Sequence, residues 1–281
     1  LSYLKFRPEI WSARLLVALR QNLVYSAFIN RDYEGDIANA GDTVRITSIG
    51  RPTIKTYVPN STTITFDQVT DSQRTLVVDQ ADYFAFAVDD VDARQAAGNV
   101  LPQSLDEASF AEANKIDLFI SSFYTSIQSA NQLGAITVNS ATTPSDAYDK
   151  VLVPLKIKLD KANVPTIGRN VVISPDLHGC LLRDSRFIKV NESGTSEGLR
   201  NGMVGRAAGF DIMLSNQTPT TGSDSVVIAG NNSAITFAEQ IAHVEALRPQ
   251  SSFSDAVKGL FLYGAKVIRP DSLASANVTV S

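Results

Sequence analysis

Polar and apolar residues alternate from Gly41 to Ile49, with Thr43, Arg45 and Thr47 set against Val44 and Ile46, a period of two that predicts a half-buried strand. Residues 62–69 are rich in β-branched side chains and put Ile64 and Phe66 on one face, predicting a second strand. Arg51-Pro52, Pro59-Asn60 and Ser61 supply turn chemistry between them. The two segments are therefore expected to form a long hairpin, closed from behind by a ladder of residues 75–78 against 83–88. From Arg51 to Thr75 the sizeable apolar side chains are Ile54, Tyr57, Val58, Ile64, Phe66 and Val69, too few for a separate core. A lone two-stranded ribbon is marginal in water, so this arm is expected to rest on another copy of the chain.

Elsewhere the period lengthens. Residues 7–25 read as a helix, with Pro8 at its first position, Glu9 beside the helix start, and Trp11, Leu15, Leu19 and Leu23 near helical spacing. A longer helix is predicted over 104–131. Ser104 and Glu107 form a capping box after a break at Pro102, and Phe110, Ala113, Ile116, Phe119, Ile120, Phe123 and Ile127 recur at threes and fours. At the α-helical rise this spine would be about 40 Å long. Residues 137–144 are polar and loop-like, and a helical run with a kink at Pro154 is expected over 146–163. The apolar strand 171–173 follows, and Ser174-Pro175 opens a short helix carrying Leu177, Leu181 and Leu182. A glycine-bearing loop over 193–205 leads to strands at 210–214 and 225–229, with a linker at 218–224 between them. Residues 241–247 and 259–268 are expected to pair antiparallel around a turn at 248–254. Strands alternating with helices predict a compact α/β unit inserted into a mixed α+β domain.

Composition narrows the function classes. The chain of 281 residues is 44% apolar and only 19% charged, which suits a sizeable core and extensive surface hidden by contacts. A net charge of −4 argues against a dedicated nucleic-acid binder, which needs a basic stripe. No uninterrupted apolar run is long enough to span a membrane, and no signal-peptide core opens the chain. Because it starts on Leu1, it is read as beginning downstream of the translation start. A single cysteine excludes an internal disulfide and fits a reducing cytoplasm. The first 31 residues are locally basic, with Lys5, Arg7, Arg14, Arg20 and Arg31 against Glu9, a solvated helix face or a surface toward a polyanion or acidic neighbour.

Candidate chemistry is sparse. Cys180 and His178 lie two apart on a predicted helix and cannot face each other, so Cys180 is read as a core residue and a thiol hydrolase as the alternative to reject. Two histidines, His178 and His243, are too few for histidine-based zinc or triad sites. Asp79, Asp82, Asp89, Asp90 and Asp92 lack the spacing of a calcium loop. Glycines over 202–209 resemble a phosphate loop only in being glycines, with no Lys-Ser/Thr after them. Lys55 near the hairpin tip is an ordinary surface lysine or, given a desolvated site with a neighbour's Asn and an acid, a partner in an isopeptide cross-link. No enzyme activity, cofactor or metal is expected.

Several long stretches carry a family resemblance: PEIWSARLL at 8–16, NRDYEGDIANAGDTVRI at 30–46, TDSQRTLVVDQADYFAFAVDDVD at 70–92 and VKGLFLYGAKVIRPD at 257–271. With the order of elements above, the chain resembles the major capsid proteins of tailed bacteriophages, whose fold is that of the Hong Kong phage shell and is shared by encapsulins. The resemblance implies an N-terminal arm at 1–40 and an extended β-hairpin loop at 41–88. It further implies a peripheral domain of 89–144 and 233–281 holding the spine helix 104–131, and an axial domain at 145–232. It implies self-assembly through pentamers and hexamers into an icosahedral shell around double-stranded DNA, held by non-specific contact. Portal protein and a possible scaffold or decoration protein would be further partners, with no membrane, and assembly would take place in the host cytoplasm. An encapsulin-like compartment with an enzyme cargo is the alternative. Inter-subunit contacts are expected from Trp11, Arg51, Ile54, Lys55, Tyr57, Ile64, Phe66 and Arg74.

Overall fold

The fold is described from a computed structural model, for residues 23–32, 43–49, 54–57, 59, 71–89, 100–188, 205–248 and 254–281. A 3-10 turn at Tyr25–Phe28 leads into β1 (Ile29–Asn30), followed by β2 (Thr43–Ile49), β3 (Asp71–Val77) and β4 (Gln80–Asp89). The long helix α1 (Val100–Ser121) continues through 3-10 turns at Ser122–Ser126 and Ser129–Asn131 into β5 (Gln132–Val138). A π turn at Ala147–Leu152 runs into α2 (Val153–Lys161), then come β6 (Arg169–Ile173), α3 (Pro175–Arg183) and α4 (Ser185–Ile188). The remaining strands are β7 (Arg206–Ala207), β8 (Phe210–Leu214), β9 (Thr220–Thr221), β10 (Asp224–Asn231), β11 (Ile235–Leu247), β12 (Ser254–Val267) and β13 (Leu273–Val280).

These strands build a four-stranded sheet in the order β1-β11-β12-β4, a seven-stranded sheet β5-β13-β10-β6-β8-β7 with β9 beside β10, and the two-stranded ribbon β2-β3. The expected pairing of 241–247 with 259–268 is present and longer, from Ile235↔Val267 to Leu247↔Ala256, with a bulge between Ile241 and His243. Two expectations about the hairpin need correction. Its described ladder pairs β2 with β3, Thr43↔Val77 through Ile49↔Asp71, so residues 75–77 belong to the ribbon itself. Residues 83–88 pair instead with β12, Phe84↔Gly259 and Phe86↔Val257. Local alternation shows that a segment is a strand, but its partner is chosen by distant residues whose side chains complete a buried face. Residues 62–69 and the predicted helix before Leu23 lie outside the described residues.

The spine helix is also corrected at both ends. It begins at Val100, so Pro102 occupies its first turn, where a missing N–H breaks no helical bond. The regular helix stops at Ser121, where Ser121 Oγ donates to Leu118 O at 2.8 Å and Ser122 Oγ to Phe119 O at 2.6 Å. Hydroxyls competing for main-chain carbonyls loosen the last turn into 3-10 geometry. Pro154 acts as expected: its ring and missing N–H sit just after the widened π turn and at the start of α2. The expected linker at 218–224 is a tight hairpin of β9 and β10, turned by Gly222 at φ +67°. Strands β5 and β13 were not assigned from the sequence, and β5 takes in the start of the stretch read as a loop from 137. They pair in parallel at one side of the seven-stranded sheet.

Burial explains the apolar runs. In β6 and β10, Val172, Val226 and Ile228 point to one side and join α1 residues Ala113, Ile116 and Ile120 with Phe237, Phe261 and Tyr263 of the four-stranded sheet. Val171, Ile173, Val227 and Ala229 point to the other side, against Leu152, Leu155, Leu159, Leu177 and Leu181. The larger sheet is thus covered on both faces, which is why Val171-Val172-Ile173 shows no polar alternation. Tyr25 and Phe28, both fully buried, wedge between α1 and the two sheets.

Candidate assembly surface

The ribbon β2-β3 is held at its root alone among the described residues. Ile46, Leu76 and Val78 form a small buried cluster with Ala238 of β11, packed by Leu262 and Ile268. Gly264 of β12 lets the chain cross directly above it, because an added Cβ would run into the main chain of Val77 and Val78. Arg74 Nη1 donates to Val267 O at 2.6 Å, so this side chain, expected at an interface, helps tie the root to its own subunit.

Beyond the root, residues 54–57 are exposed. Ile54 is 96% exposed and Tyr57 63%, with Lys55 exposed between them. Of the other residues expected at contacts, Trp11, Arg51, Ile64 and Phe66 lie outside the described residues. An isoleucine and a tyrosine this exposed, three residues apart, match a segment that is buried only on association.

The spine helix carries a feature that pattern reading missed. Glu112 and Asp117 are buried, at 8% and 2% exposure, on the face turned to the protein interior. Asp117 accepts the main-chain N–H groups of Val24 at 3.0 Å and Tyr25 at 3.1 Å, capping the turn that carries the aromatic wedge. Burial pushes its pKa up to about 6, against the opposing pull of those two donors. Glu112 stands near Asp82 of β4, whose carboxylate is shared by Lys115 and the Tyr263 hydroxyl, the latter at 2.6 Å. Burial, and then the Asp82 charge, raise Glu112 to about 7 despite Lys115, and its Oε1 has no hydrogen-bond partner. The only signal in the sequence is two acids interrupting the apolar stripe beside Ala113, Ile116 and Ile120.

Among the described residues this arrangement brings no nucleophile together with an activating base. Cys180 is fully buried among Leu177 and Leu181, and burial raises its thiol pKa, the opposite of nucleophile activation. Among the described residues no group of three or more His, Cys, Asp or Glu side chains is placed to hold a metal ion. No described helix is long and apolar enough to cross a membrane.

The sequence matches the phage capsid protein family over residues 73–276. The chain belongs to this family. Among solved structures, this capsid protein is similar to one from Mycobacterium phage Che8, with 33% identity over 90% of both chains and a TM-score of 0.73. The capsid of cyanophage P-SCSP1u is 16% identical over 87% of this chain and 85% of that one, with a TM-score of 0.69. The mature capsid of bacteriophage PhiM1 is 15% identical over 91% and 98%, with a TM-score of 0.63, so these last two speak to the fold alone. No curated protein matches the chain. The α+β architecture is therefore the tailed-phage capsid fold, and the capsid protein is a structural component of a self-assembling icosahedral shell.

Proposed function

We propose that the shell is built by interlocking arms: of residues 41–88 of each capsid protein, the part beyond the β2-β3 root reaches over a neighbouring copy within pentamers and hexamers and buries Ile54 and Tyr57 there, while β4 stays in the sheet of its own subunit. The observation that carries this reading is the contrast between a root packed on Leu76 and a distal segment whose Ile54 is 96% exposed. Arg51, Lys55, Ile64, Phe66 and, from the N-terminal arm of residues 1–40, Trp11 would join the same contacts, with Arg74 fixing the ribbon where it leaves the body. Each contact is modest, so wrong pairings can reverse, while many linked contacts make the closed shell stable.

In this reading the spine helix with β11 and β12 forms the peripheral domain, drawn from 89–144 and 233–281, and β1 and β4 complete its sheet. The seven-stranded sheet with α2 and α3 forms the axial domain around 145–232, completed by β5 and β13. The shell encloses double-stranded DNA, assembles in the host cytoplasm, and meets a portal protein and a scaffold or decoration protein. The net charge of −4 suits such a container, because a strongly cationic wall would grip the incoming duplex. No observation favours an encapsulin-like compartment, and nucleic acid co-purifying with shells, instead of a cargo protein, is the expected result.

The test replaces Ile54 and Tyr57 together by Asp. Both side chains are exposed in the subunit, so its unfolding midpoint should stay within a degree or two of the parent, while shells should vanish from electron micrographs. Normal shells from the double variant would refute the arm as the interlock.

A further inference from the structure

The turn joining α2 to β6 combines two properties seldom found together, a rigid backbone and a large apolar side chain in open water. Ile167, at its apex, is 87% exposed, next only to Ile54 among the large hydrophobic residues described. The backbone beneath it is tightly specified. Helix α2 ends with Asn163 in the left-handed region at φ +56°, and Val164 N donates back to Leu159 O at 3.1 Å, which closes the helix end and buries Val164. Gly168, at φ +71°, reverses the chain into β6.

Arg169 then staples the turn from inside. Its side chain is 2% exposed, yet it spends its donors on the turn: Nε to Pro165 O at 2.8 Å, Nη2 to Val164 O at 2.7 Å, and Nη1 to Asp160 Oδ1 at 2.6 Å. A buried guanidinium with this fork of partners fixes loop geometry at a considerable desolvation cost. What the arrangement adds is an isoleucine held still above the surface, so that burying it against a partner loses little conformational freedom.

We propose that the turn 163–168 is a second contact between copies of the capsid protein, separate from the arm, with Ile167 seated in an apolar depression of the neighbouring subunit. This rests on the shell reading, which makes sibling copies the surfaces that every lateral face of a subunit meets. The charges around the apex favour an apolar seat. Asp160 is engaged by Arg169 and lies 3.8 Å from Lys156, and Arg206 and Asp211, where β7 and β8 come alongside β6, pair at 3.2 Å. The flanking carboxylates of Asp160 and Asp211 are therefore answered within the subunit. An exposed apolar centre flanked by carboxylates already paired within the subunit suits association through the isoleucine.

The full chain and three variants, Ile167→Asp, Ile167→Ala and Gly168→Ala, are compared for the protein concentration at which shells appear, by light scattering and electron microscopy. Thermal unfolding of dissociated subunits provides the folding control. Ile167→Asp should raise the threshold at least tenfold with an unchanged unfolding midpoint, and Ile167→Ala severalfold. Gly168→Ala, which has open space around the new methyl but strains the left-handed backbone, keeps Ile167 and should raise the threshold by a smaller factor by unsettling its presentation. Shells from Ile167→Asp at the parental threshold would overturn the proposal and leave the arm reading intact. Absence of shells from the unaltered chain would overturn both.

Discussion

Glu112→Gln isolates the proton that burial keeps on the spine helix where it faces Asp82 of the four-stranded sheet. In the folded protein the Glu112 carboxyl is buried beside Asp82, and its pKa rises from 4.5 to about 7. The folded state thus binds this proton more tightly than the unfolded chain. Its contribution is intact below about pH 4.5, falls as pH rises toward 7, and is fully lost above that. The rise corresponds to a loss on the order of 3 kcal/mol across the window. Asp117, raised from 3.8 to about 6 by burial, acts in the same sense at slightly lower pH and is unchanged in the variant, so it cancels from the comparison. Gln imitates the protonated carboxyl at every pH. Urea unfolding of dissociated subunits, measured from pH 4 to 8, should therefore show parent and variant nearly matched at pH 4. The variant should become the more stable by on the order of 3 kcal/mol at pH 8, a midpoint shift of roughly 1 M. A difference that stays flat across this range, or a variant weaker than the parent at pH 8, would refute the buried-proton reasoning.

Two further substitutions test the packing that aims the arm. Leu76→Ala empties a fully buried position at the ribbon root and should cost about 2–5 kcal/mol locally; hydrogen exchange should show β2 and β3 amides losing protection while those of β11 and β12 keep theirs. Gly259→Ala puts a methyl into the Phe84 ring on the neighbouring strand and should cost about 1–3 kcal/mol. Adding Phe84→Leu should return part of that loss in a double-mutant cycle by thermal unfolding, and strict additivity would count against the contact.

Cys180 and the short helix around it were legible because Ser174 and Pro175 mark the helix start and the leucines mark one buried face. The structure agrees, with Ser174 Oγ accepting from Leu177 N at 3.4 Å. Strand pairing was not legible. Residues 75–77 and 83–88 alternate in the same way, and only the meeting of Phe84 with Gly259, and of Leu76 with Ala238, sends one segment to the ribbon and the other to the four-stranded sheet. Strand β13 was missed because Leu273-Ala274-Ser275-Ala276 is made of small residues with weak periodicity. It is a strand because β10 on one side and β5 on the other take up its hydrogen bonds.

Local chemistry along the chain thus set where the short helix after Ser174 begins, which segments are apolar enough to be buried, and the wording shared with phage capsid proteins. Partnership between distant segments was settled only in three dimensions: the root that Gly264 opens for the ribbon, the acids turned inward beside Asp82 and the N-terminal turn, and the Arg169 staple under Ile167. The physical reason is range. Capping, turn propensity and periodicity act over a few residues, whereas desolvation and close packing depend on which surfaces finally exclude water together.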